Sequence, residues 1–147
     1  MSATLLVTLQ IVLIVFVLLA GSPVAPGALL LFQLAAIFLA ASAYLALRPH
    51  TFRVSPEPKP SGRFTAGGPY RWIRHPMYTS VLLFTGPLLV DPTTAFGIPW
   101  WARGLGWLVL GLVLILKIRL EERLLSARYP EYDAYRARTK RLVPFVW

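Results

Sequence analysis

The segment GGPYRWIRHPMY, residues 67–78, interrupts an apolar chain and separates it into two hydrophobic halves. It combines cationic, aromatic and helix-breaking residues, including Arg71, Arg74, His75, Tyr70, Trp72 and Tyr78. A lipid-facing position is excluded for such a segment, because charged groups are costly in hydrocarbon and are kept there for function. We therefore expect residues 67–78 at a membrane surface, where an integral membrane enzyme would place its chemistry.

The composition is that of a membrane protein. Of the 147 residues, 56% are hydrophobic and 14% are charged, whereas a soluble domain carries about 25% charged residues. There is no cysteine, which excludes disulfides, thiolate metal sites and a cysteine nucleophile. The net charge of +9 is read as attraction to anionic membrane lipid, and nucleic acid is not an expected partner.

The hydrophobic runs predict an all-α, integral membrane helical bundle of about four transmembrane helices plus a cytoplasmic C-terminal helical segment. We predict one membrane domain over residues 1–147. Its first part, residues 1–47, is an antiparallel hairpin of the helices at 3–20 and 28–47. Residues 48–75 form a cytoplasmic loop that carries the motif, and residues 76–147 form the catalytic core. In this core a helix runs from Pro76 to Val90, another begins at Leu105 and ends at Tyr129, and a surface helix covers residues 131–141.

Positive charge predicts the orientation of the bundle. Six Lys and Arg residues lie between positions 48 and 76, eight lie from Lys117 to Arg141, and Arg103 alone lies in the loop between the third and fourth spans. With four spans, 14 of the 15 cations fall on one side, and the positive-inside rule makes that side cytoplasmic. Both termini, the 67–78 motif and the 117–141 segment would then share the cytoplasmic face.

The polar residues on this face allow several readings. Glu121 or Glu122 can bind a cationic ligand group, or can be a solvated carboxylate paired with Lys117. His75 can be a general base or a helix cap. Arg74 can bind an anion or extend to lipid phosphates. No metal site is expected, since His50 is the only other histidine and cysteine is absent.

Opposite charge preferences in the two segments suggest a cofactor. The helix beginning at Pro76 and the guanidinium of Arg74 favour an anion, whereas Glu121 and the neighbouring aromatic rings favour a cation. A zwitterion with an extra positive centre satisfies both. S-adenosylmethionine, which carries a carboxylate, an ammonium and a sulfonium, is such a molecule.

Two motifs match a known family. Residues 68–78, GPYRWIRHPMY, are followed about forty residues later by Glu121-Glu122-Arg123-Leu124-Leu125, then by residues 129–135, YPEYDAY, and 141–145, RLVPF. Together they resemble the isoprenylcysteine carboxyl methyltransferase and phospholipid methyltransferase group over about residues 62–147. The first two spans match only in hydrophobicity.

The resemblance implies an S-adenosylmethionine pocket on the cytoplasmic side. The cofactor-binding residues that it implies are Arg63, Phe64, Thr65, Tyr70, His75, Pro76, Met77, Tyr78 and Glu121. We predict Arg74 and His75 as catalytic residues, and Lys117 and Glu122 as substrate-binding residues. Lys117 stands where the family usually has arginine, and lysine cannot offer a planar bidentate fork to a carboxylate.

The expected activity is direct methyl transfer to a lipophilic acceptor that enters from lipid, such as a prenylated carboxylate or a lipid amine. A carboxylate is already ionised, whereas an amine must first lose a proton, for which His75 or a carboxylate could serve. Two alternatives remain: an NADPH-dependent, sterol-reductase-like membrane enzyme, and a non-catalytic protein that binds anionic lipid. A bundle this small can also form a homodimer through Gly104, Gly106 and Gly111, or use these glycines for packing within the monomer.

Overall fold

The fold is that of a computed structural model, which describes residues 2–51, 64–91 and 95–143. Within these ranges all regular secondary structure is helical, which confirms the predicted all-α class. The helices are α1 (Ala3–Leu19), α2 (Leu30–Thr51), α3 (Pro76–Thr85), α4 (Trp100–Arg128) and α5 (Tyr132–Arg138), and 3₁₀ turns cover Gly27–Leu29, Gly68–Arg71 and Gly86–Val90.

Two helical segments, Gly27–Leu47 and Trp100–Arg128, are long and apolar enough to cross a membrane. Ala3–Leu19 and Pro76–Val90 are apolar but shorter. The outer surface of α2 carries large exposed apolar side chains such as Phe38 and Leu45, as expected of a helix that faces lipid. The membrane class is thus supported by two helices, and the number of about four spans stays a prediction.

Each of the first two helices packs mainly against a helix from the second half of the chain. The main partner of α1 is α4, and the main partner of α2 is α3. Gly106 lets α1 approach α4 closely, because a Cβ at this position would lie 2.6 Å from Cε1 of Phe16. The predicted antiparallel hairpin of residues 1–47 stays a prediction, and Gly106 serves packing within the monomer.

Arg103 holds the chain together at the end of the bundle remote from the 67–78 motif. Its guanidinium is buried and donates through Nε to the Val17 carbonyl (2.9 Å), through Nη1 to the Leu88 carbonyl (2.8 Å), and also to the Ser22 carbonyl. These carbonyls lie near helix ends, where the carbonyl groups of the last turn have no hydrogen-bond donor within the helix. The sequence placed Arg103 in a loop, but it lies in the first turn of α4, which begins at Trp100 and not at Leu105.

Three other boundaries differ from the prediction. Helix α2 continues past Leu47 to Thr51, so the loop does not begin at residue 48. The α-helical part of the third helix ends at Thr85 and continues to Val90 as a 3₁₀ turn, since Pro87 has no N–H for the α-helical pattern. The last helix covers only Tyr132–Arg138, because the residues that follow pair with the motif instead.

Candidate active site

The C-terminal segment after α5 holds the motif in place through its backbone. The Arg74 N–H donates to the Lys140 carbonyl (2.7 Å), the Lys140 N–H donates to the Trp72 carbonyl (3.2 Å), and the His75 N–H donates to the Arg141 carbonyl (3.0 Å). The Thr79 hydroxyl donates to the Leu142 carbonyl at 2.8 Å. We call residues 139–142 the strap, and this strap fixes the backbone from which Arg74 and His75 project.

Glu122 is the centre of a buried ion-pair network. Its carboxylate accepts from Arg74 Nε at 2.8 Å and lies 3.1 Å from Arg141 Nη2 and 3.4 Å from His75 Nε2. The Glu122 side chain is almost fully buried, so these cations replace the water that a carboxylate would otherwise require. The contacts give Glu122 a bracing role between α4, the motif and the strap.

Arg74 belongs to the same ion-pair network around Glu122, which we call the brace. Its Nη1 donates to the Arg136 carbonyl at 3.0 Å and also to the Thr139 carbonyl, in addition to the bond from Nε to Glu122. The guanidinium therefore links the motif to α4, to α5 and to the strap. Its predicted catalytic role stays a prediction, and its contacts are those of a residue that positions its neighbours.

Glu121 is held differently from Glu122. One carboxylate oxygen, Oε2, accepts from the Tyr78 hydroxyl at 3.0 Å and lies 3.5 Å from His75 Nδ1. The rings of His75 and Tyr78 stack in parallel with centroids 5.5 Å apart. The other oxygen, Oε1, makes no hydrogen bond within the described part of the chain, and the side chain is 29% exposed. The Glu121 carboxylate is therefore held in one orientation, and one of its oxygens can still accept hydrogen bonds.

The two glutamates control the charge of His75. Burial by itself lowers the pKa of the imidazole, but the hydrogen bonds and negative charges of Glu121 and Glu122 outweigh burial and raise the pKa above its ordinary value. His75 is therefore biased towards the imidazolium form. Burial, together with the charge of Glu121, also raises the pKa of Tyr70, which keeps its phenol protonated.

The raised pKa of His75 predicts a pH-dependent contribution to stability. Protonated His75 stabilises the folded state fully below the imidazole pKa of the unfolded chain, about 6.5, and this stabilisation is lost as the pH rises through the higher pKa of the folded protein. We expect the melting temperature of the protein to exceed that of His75→Gln most at low pH, with the difference shrinking as the pH increases. Thermal unfolding of both proteins in neutral detergent over a pH series measures this difference, and a difference that grows with pH would contradict the assignment.

A cavity of about 140 Å³ lies beside Glu121. Its described lining comes from α1, α2, α3, α4 and the motif, and consists of Gln10, Leu47, Tyr70, Arg74, His75, Met77, Tyr78, Val81, Lys117 and Glu121. The structure thus brings together seven of the predicted site residues, namely Tyr70, Arg74, His75, Met77, Tyr78, Lys117 and Glu121. Two segments about forty residues apart thus meet at one cavity, and the function of this cavity stays a prediction.

Other predicted residues stand elsewhere. Phe64 packs on the tyrosines of the C-terminal helix region, with its ring centroid 5.0 Å from that of Tyr135. Thr65 is half-buried, and Pro76 is buried at the start of α3. None of these three, nor Glu122, is among the described residues that line the cavity. Arg63 lies outside the described residues.

The start of α3 has fewer free N–H groups for binding an anion than an ordinary helix N-terminus has. Pro76 has no N–H, and the N–H groups of Tyr78 and Thr79 both donate to the His75 carbonyl. Within the described chain, the Met77 N–H is the remaining donor of this turn without a backbone partner. The predicted anion preference of the helix start therefore depends on one N–H group, that of Met77.

Three contributors were missed by the site prediction. Gln10 of α1 lines the cavity, Arg141 pairs with Glu122, and the Tyr135 hydroxyl donates to the Tyr70 carbonyl at 2.7 Å. For Gln10 a signal existed, since a buried polar side chain in an apolar span is often functional. Tyr135 and Arg141 belong to the segments 129–135 and 141–145 that carry the family resemblance, but nothing in these segments indicated their partners in the site.

Comparison with known proteins places the chain in a family without assigning it an activity. No curated protein matches it. The family model that matches is not that of the isoprenylcysteine methyltransferase group, so the likeness to that group stays a resemblance. A family model described as "Protein of unknown function (DUF1295)" matches residues 3–139. Because this match covers nearly the whole chain, from α1 to the start of the strap, the protein belongs to the DUF1295 family.

Proposed function

We propose that this protein transfers a methyl group from S-adenosylmethionine to a lipophilic acceptor at the cytoplasmic face of a membrane. The observation that carries the proposal is the carboxylate of Glu121. It is oriented by Tyr78 and His75, retains one oxygen without a hydrogen bond in the described structure, and borders a cavity that both motif segments line. A cation of a ligand would complete its coordination.

The residues present suit the proposed methyl donor. Glu121 can bind its ammonium or stabilise its positive sulfur, and the faces of Tyr70 and Tyr78 can also contact a cation. Met77 lines the same cavity, and its N–H, which has no backbone partner in the described chain, is a candidate to bind the donor's carboxylate. This chain therefore offers complementary groups for both signs of charge on a zwitterion.

A second cavity supports a lipophilic acceptor. It has a volume of about 190 Å³ and lies between α1, α2 and α3, where side chains such as Ile14, Ala36 and Phe84 line it. Val81 borders both this apolar cavity and the polar one beside Glu121. A hydrocarbon chain in the apolar cavity would therefore have its head group near Glu121 and Lys117.

The chemistry requires alignment and exclusion of water more than proton transfer. When bound, S-adenosylmethionine supplies a methyl carbon on a positive sulfur: an acceptor oxygen bonds to this carbon while the sulfur–methyl bond breaks and its electron pair stays on sulfur. The ion pairs of Glu122 with Arg74 and Arg141 connect the motif to α4 and the strap. Because Glu121 and Glu122 raise the pKa of His75 above its ordinary value, a smaller share of the imidazole is free to accept a proton. This favours an acceptor that needs no base, namely a carboxylate.

Binding of the donor tests this proposal directly. We expect calorimetry on the detergent-purified protein to detect S-adenosylmethionine binding, and Glu121→Gln to weaken it by roughly tenfold or more, as expected for loss of a charge-assisted contact. Glu131→Gln, which removes an exposed carboxylate just before α5, should leave the affinity unchanged.

The same titration separates the alternatives. Binding of NADPH without binding of the methyl donor would replace the proposal with a sterol-reductase-like activity. Binding of neither by folded protein would leave a lipid-binding role. Equal donor affinity in Glu121→Gln and the unmodified protein would show that Glu121 does not hold the donor.

A further inference from the structure

One face of helix α4 is exposed over several turns. Successive residues of an α-helix are rotated by about 100°, so the residues of this face fall within an arc of about 60° on one side of the helix. Its apolar members are each more than half exposed. We call this face the α4 stripe, and its members are Trp101, Leu105, Leu108, Leu112, Arg119 and Arg123.

The apolar part of the α4 stripe is as long as the hydrocarbon layer of a bilayer is thick. Helix α4 is one of the two described helices that are long and apolar enough to cross a membrane. Trp101 marks one end of the stripe, and tryptophan is typical of the boundary between lipid and water. Arg119 lies about 27 Å further along the helix at 1.5 Å per residue, and bilayer hydrocarbon is roughly 30 Å thick. Arg119 is therefore expected at the depth of the phospholipid head groups, on the side of α4 that faces lipid.

The two arginines of the stripe have no counter-ion from the protein. Arg119 and Arg123 are both exposed and lie one helical turn apart, which places their Cβ atoms about 5–6 Å from each other. Among the described residues, none accepts a hydrogen bond from either guanidinium or forms an ion pair with it. The acids of α4 are engaged elsewhere, since Glu122 belongs to the brace and Glu121 lines the cavity. Two like charges at this spacing repel each other, so an anion between them would stabilise both.

We propose that Arg119 and Arg123 bind the phosphate of an anionic phospholipid whose acyl chains lie along the leucines of the α4 stripe. A guanidinium offers planar, paired donors that match the oxygens of a phosphate. A head group with a net negative charge is preferred to a zwitterionic one, because a choline ammonium would approach the same two cations. The site is a specific one on the lipid-facing side of a helix, in addition to any general attraction of the basic protein to anionic lipid.

This lipid site is separate from the proposed methyl transfer. Lys117 and Glu121 line the cavity, and the 100° rotation per residue puts them on the side of α4 opposite the stripe. A lipid held by Arg119 and Arg123 would therefore leave the cavity open. It would also fix the depth of the cavity relative to the head groups, since both sites belong to the same turns of one helix.

Lipid binding to the purified protein tests the proposal. The unmodified protein in neutral detergent is titrated with dioleoyl phosphatidylglycerol or with dioleoyl phosphatidylcholine, and native mass spectrometry measures the bound fraction. The two lipids share their acyl chains and differ in head-group charge. We expect the affinity for phosphatidylglycerol to be roughly tenfold or more above that for phosphatidylcholine, because each arginine near the membrane surface adds to the attraction of anionic lipid. Added salt should reduce this preference, since exposed charges are screened.

Paired variants assign the preference to the stripe. The double variant Arg119→Gln with Arg123→Gln should lose the preference for the anionic lipid. Arg136→Gln with Arg138→Gln is the matched control, because it removes the same charge from exposed positions of α5, and it should keep the preference. Arg119→Lys with Arg123→Lys retains the charge and should keep part of it. If the first double variant does not fold, each of its single changes should still lower the preference.

Three results would overturn the proposal. Equal affinities for the two lipids, or an equal loss in the α5 variant, would show only a general attraction to the net charge of +9. Displacement of the bound lipid by inorganic phosphate would show that a soluble anion occupies the site. A doubled mass without bound lipid would show that a second copy of the chain covers the stripe. None of these results affects the test of S-adenosylmethionine binding, because Glu121 is unchanged in every variant.

Discussion

Glu122→Gln should lower the free energy of unfolding by about 3–5 kcal/mol, the usual effect of removing one partner from a buried ion pair. Glu122 accepts from Arg74 and lies within 3.4 Å of His75 and 3.1 Å of Arg141. Without its charge, two buried cations and one partly exposed cation remain together without compensation. Reversible unfolding in mixed micelles, followed by circular dichroism, would measure the loss.

Glu121→Gln is the matched comparison, because it makes the same chemical change one residue away. Glu121 is partly exposed, accepts a hydrogen bond from Tyr78 and lies 3.5 Å from His75 Nδ1. Because water can replace these contacts in part, the change should cost about 1 kcal/mol. The structure thus predicts a division between adjacent glutamates, with Glu122 needed for stability and Glu121 for ligand binding. Equal destabilisation by the two changes would contradict this division.

Arg103→Met should destabilise the opposite end of the bundle by about 2–5 kcal/mol, because buried carbonyl groups would lose their donor. The guanidinium serves the carbonyls of Val17, Ser22 and Leu88 at once, and methionine fills a similar volume without any donor. The affinity for S-adenosylmethionine should change little in the fraction that remains folded, since Arg103 is far along α4 from Glu121. Thermal unfolding and calorimetry on the same preparation would report both properties.

Two controls define the cause of this effect. Arg103→Lys keeps the charge but offers a single ammonium where a planar fork now reaches several carbonyls, so it should recover only part of the lost stability. Arg119→Met removes an exposed arginine from the same helix and should change stability by about 0.5 kcal/mol or less. If Arg119→Met were as damaging as Arg103→Met, loss of charge on α4 and not loss of the carbonyl contacts would be responsible.

The fold class could be predicted because hydrophobic runs and prolines are local signals. The start of α3 at Pro76 and the end of α4 just before Tyr129 were predicted correctly. The pairing of α1 with α4 could not be predicted, because it depends on a glycine at 106 that admits Phe16, and such a contact between distant residues leaves no periodic pattern. The burial of Arg103 was missed for a similar reason, since a lone arginine between spans is usually a loop residue.

Part of the candidate site could be predicted, because several of its side chains belong to types that commonly bind ligands or transfer protons. His75, Tyr78 and Glu121 were named and meet at the cavity. Glu122 was assigned to the substrate from its position beside Glu121, but adjacent residues on a helix point about 100° apart, and its side chain joins the buried brace. Gln10 was passed over although a polar side chain in an apolar span is a signal, because the sequence did not show which residue lies opposite it; in the structure this residue is Lys117.

The strap also has a consequence for the order of biosynthesis. Residues 139–142 are translated after all of α1–α4, yet their backbone groups hold Arg74 and His75. A nascent chain whose helices have already entered the bilayer would therefore still lack the contacts that orient its motif. The motif should therefore reach its final geometry only when translation has passed the strap, so the backbone of Arg74 and His75 is fixed last.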